Sequence, residues 1–231
     1  YYIINISKSD IFIYIGGASD EWVDEVLKSV ENKDLKVIKL IDYVDVIEDI
    51  EHDHHHDVDE HIWTNPLNII KMAKIINETV SEIDSKNKDK YLENTNEYIL
   101  KLTELDNKFR ELIDNSKRKD IVFADRFPFK YFALEYGLNY KSAYHSCSSE
   151  AEVSAKTLKE LIDYVNNNDI NTIFYLELSN QSIANTIIEE TGCSKKMFHS
   201  GQNVTVEEFE NGITLIKIME NNLKNLEGAL N

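Results

Sequence analysis

The chain has 231 residues, 42% of them hydrophobic, which is enough apolar content for one large core or two modest ones. A formal net charge of −17 argues against nucleic acid or an anionic membrane surface as the main partner, because phosphates would be repelled, and it favours cations. No run of about 18 apolar residues is present to cross a bilayer, and two cysteines are too few for a disulfide scaffold.

The chain opens on Tyr1-Tyr-Ile-Ile-Asn-Ile with no initiator methionine and reads straight into Asp10-Ile-Phe-Ile-Tyr-Ile-Gly16-Gly17, a strand-like run closed by glycines. Such a start reads as a processed or truncated chain, so a missing export signal carries no weight. A strand is expected over 11–15, an amphipathic helix over 20–30 and a second strand over 35–40. Asp20 is placed as the N-cap of that helix, with Glu21, Asp24 and Glu25 putting negative charge near its start. Two strands without a longer sheet look like part of a lobe.

An acidic, histidine-rich loop over 48–60 then interrupts the pattern. Five of the seven histidines fall within ten residues, at His52, His54, His55, His56 and His61. Neutral imidazole is the commonest protein ligand for borderline transition metals, and the interleaved carboxylates add oxygen donors. The bland alternatives are a purification tag, a pH-responsive surface loop and a solvated acidic turn. A tag fits poorly, because the run is internal and broken by Asp53 and Asp57. The separate His61, at an expected helix start, is what a mere buffer loop would not need.

Asn65-Pro66 supplies an N-cap and a first-turn proline for a helix running to about residue 83, with Ile69, Met72, Ile75 and Ile76 on one face. A second helical stripe of Tyr98, Leu102, Leu105, Phe109 and Leu112 continues to about residue 117, with no Gly or Pro between 87 and 117. About 30 helical residues span about 45 Å, a strut between two lobes. Strand and helix then alternate: strands over 121–124, 140–144, 172–176 and 197–198, and helices over 129–136, 154–166, 182–191 and 206–226. Gly137 and Gly192 stop two of the helices, and Ser154 caps a third. The expected fold class is therefore α/β, with two lobes of parallel-sheet type joined by a long rigid helix, the first lobe incomplete. The divisions are 1–85 for the N-terminal lobe, 86–118 for the linking helix and 119–231 for the C-terminal lobe.

Ligands of open parallel sheets gather at the carboxyl ends of strands. That places Asp125 and Arg126 after the strand ending at Ala124, and His145 and Cys147 after the next. Glu177 follows Leu176, and His199 follows Phe198. A site in the cleft between lobes, with His61 from the first half, is the geometric expectation. Glu177 reads as an acceptor orienting a ligating imidazole, or as a helix-capping carboxylate. Cys147 and Cys193 could pair, lie buried, or supply one soft ligand.

These blocks resemble the metal-binding solute-binding proteins of ABC importers for zinc and manganese, most closely the zinc-type branch. The blocks are Asp10-Ile-Phe-Ile-Tyr-Ile-Gly-Gly, the histidine-rich loop, Asp59-Glu-His61-Ile-Trp-Thr-Asn-Pro, Asp125-Arg-Phe-Pro-Phe-Lys-Tyr-Phe132 and Phe174-Tyr-Leu-Glu-Leu-Ser-Asn180. The His-x-Trp-x-x-Pro motif beside a His/Asp loop is the most specific of them. The resemblance implies two α/β lobes on a long helix, with metal held between them. It implies that His61 is a ligand, that a further family histidine would precede Tyr1, that Asp125 is the metal-binding side chain nearest the third ligand position, and that His199 matches the fourth. Cys147 is favoured over His145 as a further donor.

The leading expectation is an extracellular high-affinity zinc receptor delivering metal to an ABC permease. It would be a monomer, either a cell-surface lipoprotein of Gram-positive type or a periplasmic protein, with His52, His54, His55 and His56 as a secondary metal-collecting loop. A manganese receptor of the same type is the alternative, since a thiolate favours zinc and an all-His/carboxylate set admits manganese. A surface adhesion or metal-buffer protein is another. Catalysis is not expected: the sequence holds no His-Glu-x-x-His helix and no nucleophile elbow.

Overall fold

A computed structural model describes residues 2–49, 57–144 and 153–231. The chain divides into two compact units, Tyr1–Thr103 and Glu104–Asn231.

The first unit begins with a short helix α1 (Tyr2–Ser7), where the sequence suggests a lead into a strand. This run has no strand partner among the described residues; it winds instead, burying Ile6 and leaving Ile3 and Ile4 exposed. Strand β1 (Ile11–Tyr14) pairs in parallel with β2 (Lys36–Lys39), in the register Ile11 to Lys36. The crossover between them holds a 3-10 turn at Ala18–Asp20 and helix α2 (Trp22–Lys28). Asp20 does not cap α2. Its carboxylate accepts the Gly16 N–H at 2.8 Å, closing the turn after β1, and Glu21 precedes α2 without a side-chain cap. Two-residue strands β3 (Glu48–Asp49) and β4 (Asp57–Val58) pair antiparallel. Helix α3 (Pro66–Ile83) starts as expected, with the Asn65 Oδ1 accepting the Leu67 N–H at 2.8 Å and proline in the first turn. Buried Val23, Ile38, Leu40, Ile41, Ile62 and Ile69 form this unit's core.

Helix α4 (Lys88–Asp114) has 27 residues, about 40 Å of rise, and the division between units falls inside it. The second unit adds β5 (Asp120–Phe123), α5 (Lys130–Tyr136), β6 (Asn139–Ser142), α6 (Ala155–Asn167), β7 (Thr172–Tyr175), α7 (Ser182–Thr191) and β8 (Ser194–Met197). Its four strands are parallel, in the order β6-β5-β7-β8. Neighbouring residues on a strand face opposite ways, so the two faces build different cores. Val122 and Ile173 pack with Leu161, Val165, Ala184 and Ile187 of α6 and α7. Phe123 and Phe174 enter an aromatic cluster with Phe127, Phe129 and Phe198. Both faces of the central strands β5 and β7 are covered, which is why those two read as near-continuous apolar runs.

The final helix expected over 206–226 is two helices, α8 (Val206–Glu210) and α9 (Leu215–Leu230). Gly212, at φ 66°, turns the chain between them in the left-handed region that glycine enters without steric cost. Thr214 then caps α9 through the Lys217 N–H. Among the described residues no helix is long and apolar enough to cross a membrane.

Candidate metal centre

His61 sits on a tight turn clamped from both sides. The Ile62–Thr64 3-10 turn starts on it, Ile62 is fully buried, and the Thr64 hydroxyl donates to the His61 carbonyl at 2.8 Å. From α3, the Asn68 amide donates to the Ile62 carbonyl at 3.2 Å. The Asp59 Oδ1 accepts both the His61 backbone N–H and Nδ1–H, each at 2.9 Å. Both side chains are buried. A carboxylate on Nδ1 fixes the proton there and makes Nε2 the lone-pair nitrogen, a pairing common among ligating histidines. Trp63 lies against the ring, with centroids 5.3 Å apart. The neighbouring Glu60 accepts from the Ser19 N–H at 3.1 Å and from its hydroxyl at 2.5 Å, tying this loop to the turn after β1. A Cβ on Gly17 would lie 2.4 Å from the Cβ of Glu60, so this approach requires glycine.

In the second unit Asp125, Glu177 and His199 lie just past the carboxyl ends of β5, β7 and β8 of one parallel sheet. His199 follows β8 and is 3% exposed. Asn222 of α9 clamps its backbone with two bonds of 2.8 Å, one to its N–H and one from its amide to the His199 carbonyl. The His199 Nδ1 accepts the Gly201 N–H at 2.9 Å. The Glu177 Oε2 stands 3.7 Å from Nδ1 and the Glu208 Oε1 3.8 Å from Nε2. Glu177 itself accepts the Ser200 N–H at 2.8 Å and the Ser200 hydroxyl. Glu208 closes a capping box with Thr205, whose backbone N–H above all holds the Glu208 carboxyl below the usual glutamate range.

Asp125 follows β5, and its Oδ2 accepts the Leu176 N–H at 3.3 Å, stapling the ends of β5 and β7. Strand order reverses between those two strands, and a cavity of about 220 Å³ opens there, lined by Asp125, Arg126, Tyr144 and Asn180 among others. His52, His54, His55, His56, His145 and Cys147 lie outside the described residues. Cys193 is a free thiol in the core. Among the described residues, no three His, Cys, Asp or Glu side chains converge as a metal set.

Two residues of these corners escape a reading by spacing. Asp59 lies inside the histidine motif, yet its role as the Nδ1 acceptor appears only in the folded turn. Glu208 is legible as half of the Thr205-x-x-Glu208 box, but not as the carboxylate facing His199.

The fold is shared with solved ZnuA-like proteins. The crystal structure of the Zn(II)-bound ZnuA-like domain of Streptococcus pneumoniae AdcA matches at TM-score 0.80 and 30% identity, covering 99% of this chain and 82% of that one. The metal-dependent lipoprotein YcdH from Bacillus subtilis matches at TM-score 0.86 and 28% identity, covering 99% and 83%. The family described as ZnuA, zinc-uptake complex component A, periplasmic, matches residues 2–229, and the chain belongs to it. Among relatives, the zinc-binding lipoprotein AdcA of Streptococcus pneumoniae (strain ATCC BAA-255 / R6) is 32% identical over 235 residues, 97% of this chain and 46% of that protein. The high-affinity zinc uptake system protein ZnuA of Bacillus subtilis (strain 168) is 28% identical over 238 residues, 99% of this chain and 74% of that protein. The chain thus spans about half the length of the AdcA lipoproteins it matches.

Proposed function

We propose that this chain is an extracellular high-affinity zinc receptor that hands its ion to the permease of an ABC importer. The observation carrying this reading is the Asp59–His61 pair, in which a buried carboxylate on Nδ1 presents Nε2 as a metal ligand. Membership of a zinc-uptake family supports the choice of ion, and imidazole with carboxylate donors suits zinc. His61 of the first unit and His199 of the second are the candidate imidazole ligands. The Asp125 Oδ1, His145 and Cys147 are the further donors to test, and His52, His54, His55 and His56 collect metal weakly near the site. The protein binds and releases zinc rather than turning over a substrate, and it works outside the membrane as a monomer, in the manner of a lipoprotein or periplasmic component.

Calorimetric titration with zinc and with manganese, on the chain and on His61→Ala, tests the reading. One tight zinc site that is lost with His61, with weaker sites surviving, is the expected result. Weak sites alone, indifferent to His61, would reduce the protein to a metal buffer. Tighter manganese binding would reassign the cargo. Deleting 51–57 should remove weak sites or slow loading and leave the tight site.

A further inference from the structure

The His199 ring has one nitrogen engaged and one facing a carboxylate at an unusual distance. Nδ1 accepts the Gly201 N–H, whereas Nε2 is buried and has no hydrogen-bond partner among the described residues. The Glu208 Oε1 stands 3.8 Å from it. An N–H···O bond to a carboxylate measures about 2.7–3.2 Å, so this is not one. Two ligands on one zinc, at bonds of about 2.0–2.2 Å and a tetrahedral angle, stand about 3.4 Å apart. Closing the difference takes a side-chain adjustment of about 0.4 Å.

We propose that Glu208 is itself a zinc-ligating residue, its Oε1 joining the His199 Nε2 on the ion as a ligand pair built wholly within the second unit. The proposal rests on the zinc-receptor reading above. The capping box makes the pair possible, because both bonds from Thr205, at 2.8 and 2.9 Å, go to Oε2, leaving Oε1 outside the box. The carboxylate is therefore positioned before the ion arrives, and little side-chain entropy is left to lose on binding.

Coordination at Nε2 has a consequence on the far side of the ring. A neutral imidazole offers one lone pair and one N–H, so metal on Nε2 puts the proton on Nδ1, where the Gly201 N–H can no longer be accepted. The Glu177 Oε2, 3.7 Å from Nδ1, is the acceptor within reach, and its carboxylate is already held by Ser200. Loading exchanges Gly201 for Glu177 at Nδ1. One proton leaves Nε2 and one reaches Nδ1 through water, with no net change.

The test is zinc calorimetry on the full chain with Glu208→Gln, Thr205→Val, His199→Ala and His61→Ala. Glutamine serves a capping box as glutamate does, so Glu208→Gln keeps α8 while removing the charged ligand. Thr205→Val breaks the box and keeps the carboxylate. Zinc affinity should fall at least about 10-fold in Glu208→Gln, the least that losing even an outer-shell partner brings, and clearly more than in Thr205→Val. Nitrogen-15 spectra of His199 should show the proton on Nε2 before zinc and on Nδ1 after it. Equal affinities in Glu208→Gln and the parent chain would make Glu208 only a cap and overturn the proposal, and a loss in Glu208→Gln no greater than in Thr205→Val would overturn it too by tracing the effect to the shape of this loop, while losses in His61→Ala and His199→Ala would leave the receptor reading standing. Absence of tight zinc binding in the parent chain would overturn the receptor reading itself, and this proposal with it.

Discussion

The His61 corner and the His199 corner hold equally buried imidazoles by opposite means. At His61 a carboxylate accepts from Nδ1–H, so the lone pair belongs to Nε2. At His199 a backbone N–H donates to Nδ1, so the proton belongs on Nε2 until something displaces it. The supports differ as well. His61 rests on a hydrogen-bonded turn against α3, whereas His199 is carried by Phe198, whose ring meets Phe123, Phe129, Phe132 and Phe174 at 4.8 to 5.7 Å. The first corner is fixed by polar contacts. The second is rigid through packing, and its ring must exchange one partner on loading.

The largest expected effect comes from removing the packing under His199. Phe198→Ala leaves a cavity in the aromatic cluster and should cost about 3–5 kcal/mol of unfolding free energy, read by denaturant titration; a loss below about 1 kcal/mol would show that the cluster does not carry this corner. Next, Asp59→Ala should weaken zinc binding about 10–100-fold, because His61 loses the partner that sets its tautomer. Asp59→Asn, which keeps an Oδ1 acceptor, should lose less. Unchanged affinity in Asp59→Ala would erase the contrast between the corners. Smaller still, Asn65→Ala removes the cap that starts α3 behind the His61 turn and should cost about 1 kcal/mol of stability.

The smallest effect lies at Asp84, at the α3–α4 corner. Its carboxylate accepts from the Asn87 amide and then from the Tyr91 hydroxyl, which holds it below the usual aspartate range. A folded pKa below the unfolded one contributes stability above the unfolded value and loses it as pH falls through the folded one. Protection of the Asn87 amide, taken relative to its intrinsic exchange rate at each pH, should therefore fall on acidification below the ordinary aspartate pKa, and Asp84→Asn should remove that dependence while leaving both histidine corners unaltered.

Much of the scaffold was legible from local rules. Asn65-Pro66 placed the start of α3, Ser154 capped α6, and Gly137 and Gly192 ended α5 and α7, because caps and stops act within a few residues of chain. Where local rules competed, neighbours in space decided. Asp20 had the chemistry of an N-cap but turned to the Gly16 N–H, and the 2–7 run, rich in β-branched residues, became helical. The break at Gly212 was visible as a glycine but outweighed, in a reading by periodicity, by apolar spacing on both sides.

For the candidate site, the sequence determined that Asp125, Glu177 and His199 follow strand ends, since parallel α/β alternation fixes where loops emerge. It also determined the acidic, histidine-rich character that marks a cation-handling chain. Only the tertiary structure decided which nitrogen of each histidine is engaged. That choice depends on groups brought to within hydrogen-bonding distance by folding: Asp59 across a two-residue turn, Gly201 across a loop, and Glu208 from the far side of a capping box. Spacing in sequence specifies which residues share an edge, but the direction of a lone pair is set by three-dimensional neighbours.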